Sequence, residues 1–166
     1  MTTRTARCAC GRVEVTVEGE PGQVYVCHCD FCQRRSGNVF IASASFPEDQ
    51  VISITGETRC YNGLEVDAVG AVGIPGGINY RFCAVCGSSV YFDMVYPPTG
   101  QRFFVIALGS FVDAVFPPPT TEFFTKFRHP GCRRFLAPSR SMTLWERTPK
   151  RRGARLIQAV GEPTPN

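Results

Sequence analysis

The chain has 166 residues, 43% of them hydrophobic and 19% charged, which suits one domain with a real core and leaves no need for several. No run approaches the roughly 18 apolar residues of a membrane span, and Met1 to Arg12 holds no apolar stretch of the secretory kind, so a soluble, cytoplasmic protein without a membrane partner is expected. The net charge of +4 is uneven: residues 1–125 hold eight Lys and Arg against twelve Asp and Glu, and residues 126–166 hold ten against two.

Cys8 and Cys10 come first in the chain, and a strand there would turn both side chains to one face. Arg12 to Glu18 alternates Val13, Val15 and Val17 with polar residues, the period of a half-buried strand. Gly19-Glu20-Pro21-Gly22 then turns the chain, and a hairpin to a strand over Val24 to Val26 is expected. Asn38 to Phe46 places Phe40, Ala42, Ala44 and Phe46 on one face, and short strands follow over Val51 to Thr55 and Thr58 to Tyr61. Residues 62–79 are rich in glycine and read as a mobile loop interrupted by the apolar Val69 to Ile74. Strands are expected over Tyr80 to Phe82, Val90 to Val95 and Glu122 to Phe127, with Arg102 to Leu108 buried on both faces. Nothing before Leu144 shows a 3.6-residue apolar period, so the fold class expected is mainly β, of short antiparallel strands with little helix. The boundary is placed at residue 146, followed by a basic, flexible tail over 147–166 that carries Arg147, Lys150, Arg151, Arg152 and Arg155.

Seven of the nine cysteines form the clusters Cys8-x-Cys10, Cys27-His28-Cys29-x-x-Cys32 and Cys83-x-x-Cys86. An odd total and close paired spacings point to metal-bound thiolates rather than a disulfide framework. Seven ligands suffice for one site closed by four and one left with three, the arrangement that separates structural from catalytic zinc. Two zinc ions per chain are therefore expected. In each Cys-x-x-Cys pair a tight turn lets backbone amides reach the sulfurs, and Gly87 after Cys86 suits such a knuckle. His28 points away from Cys27 and Cys29 in an extended segment, which makes it a poor ligand. Cys60 reads as a buried thiol, and Cys132 is the leftover cysteine that could close the three-sulfur site and make it structural.

Cys8-Ala9-Cys10-Gly11, the run from Cys27 to Gly37 and Arg81-Phe82-Cys83-Ala84-Val85-Cys86-Gly87 resemble, in order and spacing, the glutathione-dependent formaldehyde-activating enzymes and centromere protein V. The likeness covers roughly residues 6–136 and includes Leu108-Gly109-Ser110-Phe111-Val112-Asp113, similar to the family's Gly-Ser-Leu-Asp stretch. The resemblance implies a β-tent-like zinc fold and carbon–sulfur lyase chemistry. It also implies that Cys8, Cys10, Cys83 and Cys86 hold a structural zinc and that Cys27, Cys29 and Cys32 hold a catalytic one. The family's common Pro-Trp pair is replaced here by His129-Pro130-Gly131-Cys132, an alteration expected to reach a wall of the substrate pocket.

Three thiolates make a soft, weakly Lewis-acidic site, suited to binding a thiol rather than to making hydroxide. The expected substrate is a small thiol, glutathione or an analogue, whose deprotonated sulfur adds to an aldehyde such as formaldehyde. Arg34 and Arg35 directly follow the site and are the candidate contacts for the thiol's carboxylates. The alternative is a non-catalytic zinc module whose basic tail binds nucleic acid or an acidic partner. A three-ligand site has no use in such a module, and the tail lacks interleaved aromatic residues.

Overall fold

The computed structural model of the chain describes residues 2–65, 74, 76–112 and 116–135. Ten strands carry this part: β1 (Thr3–Arg7), β2 (Glu14–Glu18), β3 (Gln23–Cys27), β4 (Ile41–Pro47), β5 (Val51–Thr55), β6 (Thr58–Asn62), β7 (Ile78–Cys83), β8 (Ser89–Tyr96), β9 (Gln101–Ala107) and β10 (Thr121–Phe123). One α-helix, α1 (Asp30–Ser36), stands among them, so the protein is mainly β, as its sequence leads one to expect. No helix of the described residues is long and apolar enough to cross a membrane.

The strands form a small sheet, β1-β2-β5, and a large one, β10-β3-β4-β9-β8-β7-β6. All named pairings are antiparallel except that of β10 with β3. The period-two alternation gives the large sheet two apolar faces. Val24, Ala44, Phe46 and Ile106 pack against Ala6, Val15 and Val17 of the small sheet to make the main core. Phe46 is fully buried there, and truncation to alanine would cost about 3–5 kcal/mol. Tyr80, Phe92 and Val105 occupy the opposite face, with Tyr25 and Phe31 packed against them. That second face carries the functional site.

Several expectations need correction. The hairpin from β2 to β3 does not form, because β1 and β5 already occupy both edges of β2. Gly22 instead donates its N–H to the Ser45 carbonyl at 2.8 Å, which draws the chain alongside β4 in the other sheet. The strand expected over Glu122 to Phe127 stops after Phe123, since Phe124 turns left-handed (φ 54°) and a 3₁₀ turn follows over Thr125–Phe127. Cys60 is exposed rather than buried, because β6 lies at the edge of its sheet. Helix α1 was not foreseen; its seven residues are too few for a helical period to be read. Most of the glycine-rich stretch from 66 to 75, the boundary at 146 and the tail over 147–166 lie outside the described residues.

Candidate metal centres and the cavity beside them

The first centre joins the start of the chain's β core to its middle. Cys8, Cys10, Cys83 and Cys86 bring four sulfurs within 4.8 Å of one another, with Cys8 and Cys10 3.5 Å apart and Cys10 and Cys83 3.7 Å apart. A tetrahedron of zinc–sulfur bonds of about 2.3 Å has edges of about 3.8 Å, so these dimensions fit such an ion. The local backbone of Cys8 and Cys10 differs from the expected strand: β1 ends at Arg7, and a turn closed by Gly11 N–H to Cys8 O (2.9 Å) swings both sulfurs to one side. The knuckle at Cys83 follows expectation. Gly87, at φ 72°, donates to the Cys83 carbonyl at 3.0 Å, while the amides of Val13 and Val85 reach Cys8 Sγ and Cys83 Sγ at 3.2 and 3.4 Å. Amides aimed at sulfur favour thiolate over thiol. The Ser88 hydroxyl and amide lower the Cys86 thiol to about 5.

The second centre is local. Cys27 ends β3, Cys29 caps α1, and Cys32 lies in the helix's first turn, which brings all three sulfurs within 4.8 Å of one another. Cys29 Sγ accepts the Cys32 N–H at 3.3 Å, the hydrogen bond of a helix cap made by a sulfur. The tight turn expected between these two cysteines is thus the first turn of α1. Cys29 is lowered to about 3, chiefly by the Cys27 and Cys32 thiols and then by the amides of Cys32 and Phe31. Its sulfur neighbours push Cys27 far upward. Cys32 rises to about 12: the Cys27 thiol acts downward, but Cys29 and burial outweigh it. The three sulfurs therefore oppose one another's ionisation and titrate as a group.

No fourth Cys, His, Asp or Glu joins the trio among the described residues. Cys132 stands apart from both clusters and donates its N–H to the His129 carbonyl at 2.8 Å. His28 turns away from the sulfurs as expected and is wholly buried. Its Nε2–H donates to Glu122 Oε1 at 3.1 Å, and the same oxygen accepts Arg128 Nη2 at 2.9 Å. This clamp fastens β10 to the cysteine strand.

A cavity of about 450 Å³ opens beside Cys27, Cys29 and Cys32. The large sheet supplies Tyr25, Ile41, Phe92, Met94, Phe103 and Val105, α1 adds Phe31, and Phe123 and Phe124 form the wall from β10 and its end. Among the described residues no Lys, Arg, His, Asp or Glu lines it. The His129–Cys132 stretch is absent from that lining, so the wall expected there is built by Phe123 and Phe124 instead. Burial, with the neighbouring cysteines, pushes the Tyr25 and Tyr80 phenols above their ordinary value, so both remain protonated. Tyr25 shares a strand face with Cys27, a relation readable from the period of two; Tyr80, Glu122 and Phe124 reach the site only through tertiary pairing.

The two arginines diverge. Arg34 is largely exposed and pairs with Asp30 at 2.9 Å. Arg35 lies over the Tyr80 ring, 4.8 Å from its centroid, and its buried Nε has no partner among the described residues. It also lines a separate, more polar hollow of about 560 Å³ with Ser36, Asn38, Ser88 and Ser110.

No curated protein matches the chain. A family model does match, described as glutathione-dependent formaldehyde-activating enzyme, over residues 3–127, a span that contains both cysteine clusters, Glu122 and Phe124. A match over most of the chain shows the family, and with two metal-ready cysteine clusters on a mainly β fold this protein belongs to the glutathione-dependent formaldehyde-activating enzymes.

Proposed function

We propose that the protein is a zinc-dependent carbon–sulfur lyase that forms or cleaves the adduct of a small thiol with an aldehyde, S-hydroxymethylglutathione being the family's pair. The observation that carries this reading is the trio Cys27, Cys29 and Cys32, three sulfurs without a fourth protein ligand among the described residues, set in the wall of a cavity. The four-sulfur cluster is proposed as the structural zinc site. It closes a long loop between the start and middle of the chain, which favours stability. Cys27, Cys29 and Cys32 would hold the zinc, which would lower the proton affinity of a substrate thiol brought to it.

The chain's residues do the rest. In the forming direction the sulfur adds to the aldehyde carbon, the carbonyl π bond breaks, and the proton lost by the thiol ends on the former carbonyl oxygen; cleavage is the reverse. Tyr25 and Tyr80, protonated in the cavity, are suited to give that oxygen a hydrogen bond. Apolar walls exclude competing water. Arg34 and Arg35 are proposed as the contacts for glutathione's carboxylates. Arg35 is the stronger of the two, since its Nε has no partner while Arg34 holds Asp30.

The test is exchange spectroscopy of formaldehyde with glutathione, with and without zinc-loaded protein. Accelerated exchange is expected, lost in Cys29→Ser and with a raised KM for glutathione in Arg35→Ala. Exchange at the uncatalysed rate with two zinc ions bound would refute the reading.

A further inference from the structure

The cavity beside the three-sulfur site is far larger than formaldehyde requires. Its volume, about 450 Å³, would hold about 15 waters at liquid density, whereas about 150 Å³ of apolar space already accepts a benzene ring. Water in so apolar a hollow makes few hydrogen bonds, so filling it with an apolar group is favourable. The walls are mainly aromatic and aliphatic, with Tyr25, Phe92, Phe103, Val105 and, past β10, Phe124, beside the polar Gln23 and Ser45. A formaldehyde adduct brings a single carbon to this space. The peptide part of glutathione, with its charged ends, finds no cation in this lining among the described residues, and Arg35 lines the other hollow.

One wall residue is held in an unfavourable backbone state. Phe124 is the only non-glycine with positive φ among the described residues (φ 54°, ψ 41°), a conformation that opposes an aromatic residue. Glycine would take it freely. The clamp of His28 and Arg128 on Glu122 fixes β10 just before it, so the chain keeps a ring at this position despite its backbone.

We propose that this cavity receives an aromatic or alkyl group carried by the thiol–aldehyde adduct, with Phe124 as a determinant of that specificity. The proposal rests on the lyase reading above and names the substrate class: adducts larger and more apolar than that of formaldehyde. The apolar group has two possible sources, the aldehyde or the thiol.

Calorimetric titration of the zinc-loaded full chain separates them with two ligand pairs. S-benzylglutathione against S-methylglutathione places the apolar group on the aldehyde side, and benzyl mercaptan against ethanethiol places it on the thiol side. In at least one pair the benzyl member is expected to bind about tenfold or more tightly, with a negative heat-capacity change that marks apolar burial. The pair that shows the preference identifies the source. Phe124→Gly relieves the backbone and removes the ring, so it is expected to keep its metal and circular dichroism while the benzyl preference falls at least about threefold. Phe124→Leu, which keeps an apolar side chain, should restore part of it. Absence of a benzyl preference in both pairs overturns the proposal, as does a preference of equal size in Phe124→Gly. If glutathione–formaldehyde exchange is catalysed while both pairs show no preference, the lyase reading stands and this inference alone falls. A benzyl preference that depends on Phe124, without catalysed exchange of glutathione or benzyl mercaptan with formaldehyde or benzaldehyde, supports the cavity's specificity and removes the lyase reading instead.

Discussion

His28 Nε2 and Glu122 Oε1 lie 3.1 Å apart, 94 residues apart in sequence, and both side chains are withdrawn from water. Through this bond the residue that follows β3, between Cys27 and Cys29, is tied to the strand that leads into the cavity wall. Burial would raise the Glu122 carboxyl, but the hydrogen bonds from His28 and Arg128 outweigh it and hold it below the usual range. A carboxyl lowered by folding contributes stability that is complete above its unfolded value of about 4.3 and is lost as pH falls through the folded value. Glu122→Gln is therefore expected to cost about 1–3 kcal/mol at pH 7, with the gap from the parent protein narrowing on acidification below about pH 4.3. Urea unfolding of both proteins across pH measures this. A gap that stays constant to pH 3 would mean that the carboxylate's charge is not what the clamp uses.

The two sulfur clusters should fail differently. Cys83 belongs to the main core as well as to the four-sulfur set, whereas Cys29 caps a short helix over the cavity. Cys83→Ser is expected to release metal and unfold the domain, because a closed site contributes its binding energy to folding. Cys29→Ser is expected to stay folded with one metal equivalent bound and to lose at least about 100-fold in kcat/KM, beyond what a lost supporting contact costs. Circular dichroism and metal content of the two variants decide it. Equal unfolding would show that the clusters do not divide the work.

Metal binding at the trio should release protons in a defined number. Cys29 is ionised already, near 3, while Cys27 and Cys32 carry protons at neutral pH. A divalent ion that takes all three as thiolates displaces two protons, so log K for the weaker metal equivalent should rise by about two per pH unit between about pH 6 and 8. Competition with a chromophoric chelator across that range gives the slope. A slope near three would mean that Cys29 also enters as a thiol, and one below one would remove the trio as the ligand set.

The basic C-terminal part supplies a separate test. Ten of the chain's Lys and Arg fall after residue 125, and neutralised phosphates make polyanion binding steeply salt-dependent. Removal of residues 147–166 is expected to leave metal content and thiol–aldehyde exchange unchanged while heparin affinity at low salt falls about tenfold. Loss of metal or of exchange in the shortened chain would assign the tail to the domain.

The sequence by itself determined which seven cysteines gather into two clusters, the strand character of most elements and the family. Cysteine pairs at close spacing are local features, since a turn of three or four residues decides whether two sulfurs can share an ion. Alternation along β2 and β4 and the continuous apolar run of β9 were likewise local, and they marked Phe46 and Ile106 for burial. Partner choice was not local. The corner at Gly19 to Gly22 reads equally well as a hairpin or as a crossing between sheets, and only the occupied edges of β2 decided it. The same holds for Phe124, whose left-handed backbone no composition signals, and for Glu122, which nothing in its own segment links to His28. The cavity exists because five antiparallel strands turn their apolar faces the same way beneath α1, a relation between residues up to about a hundred positions apart. Tertiary structure alone set the apolar character of the space beside the sulfurs, because a strand's period says which side chains share a face and not which faces meet.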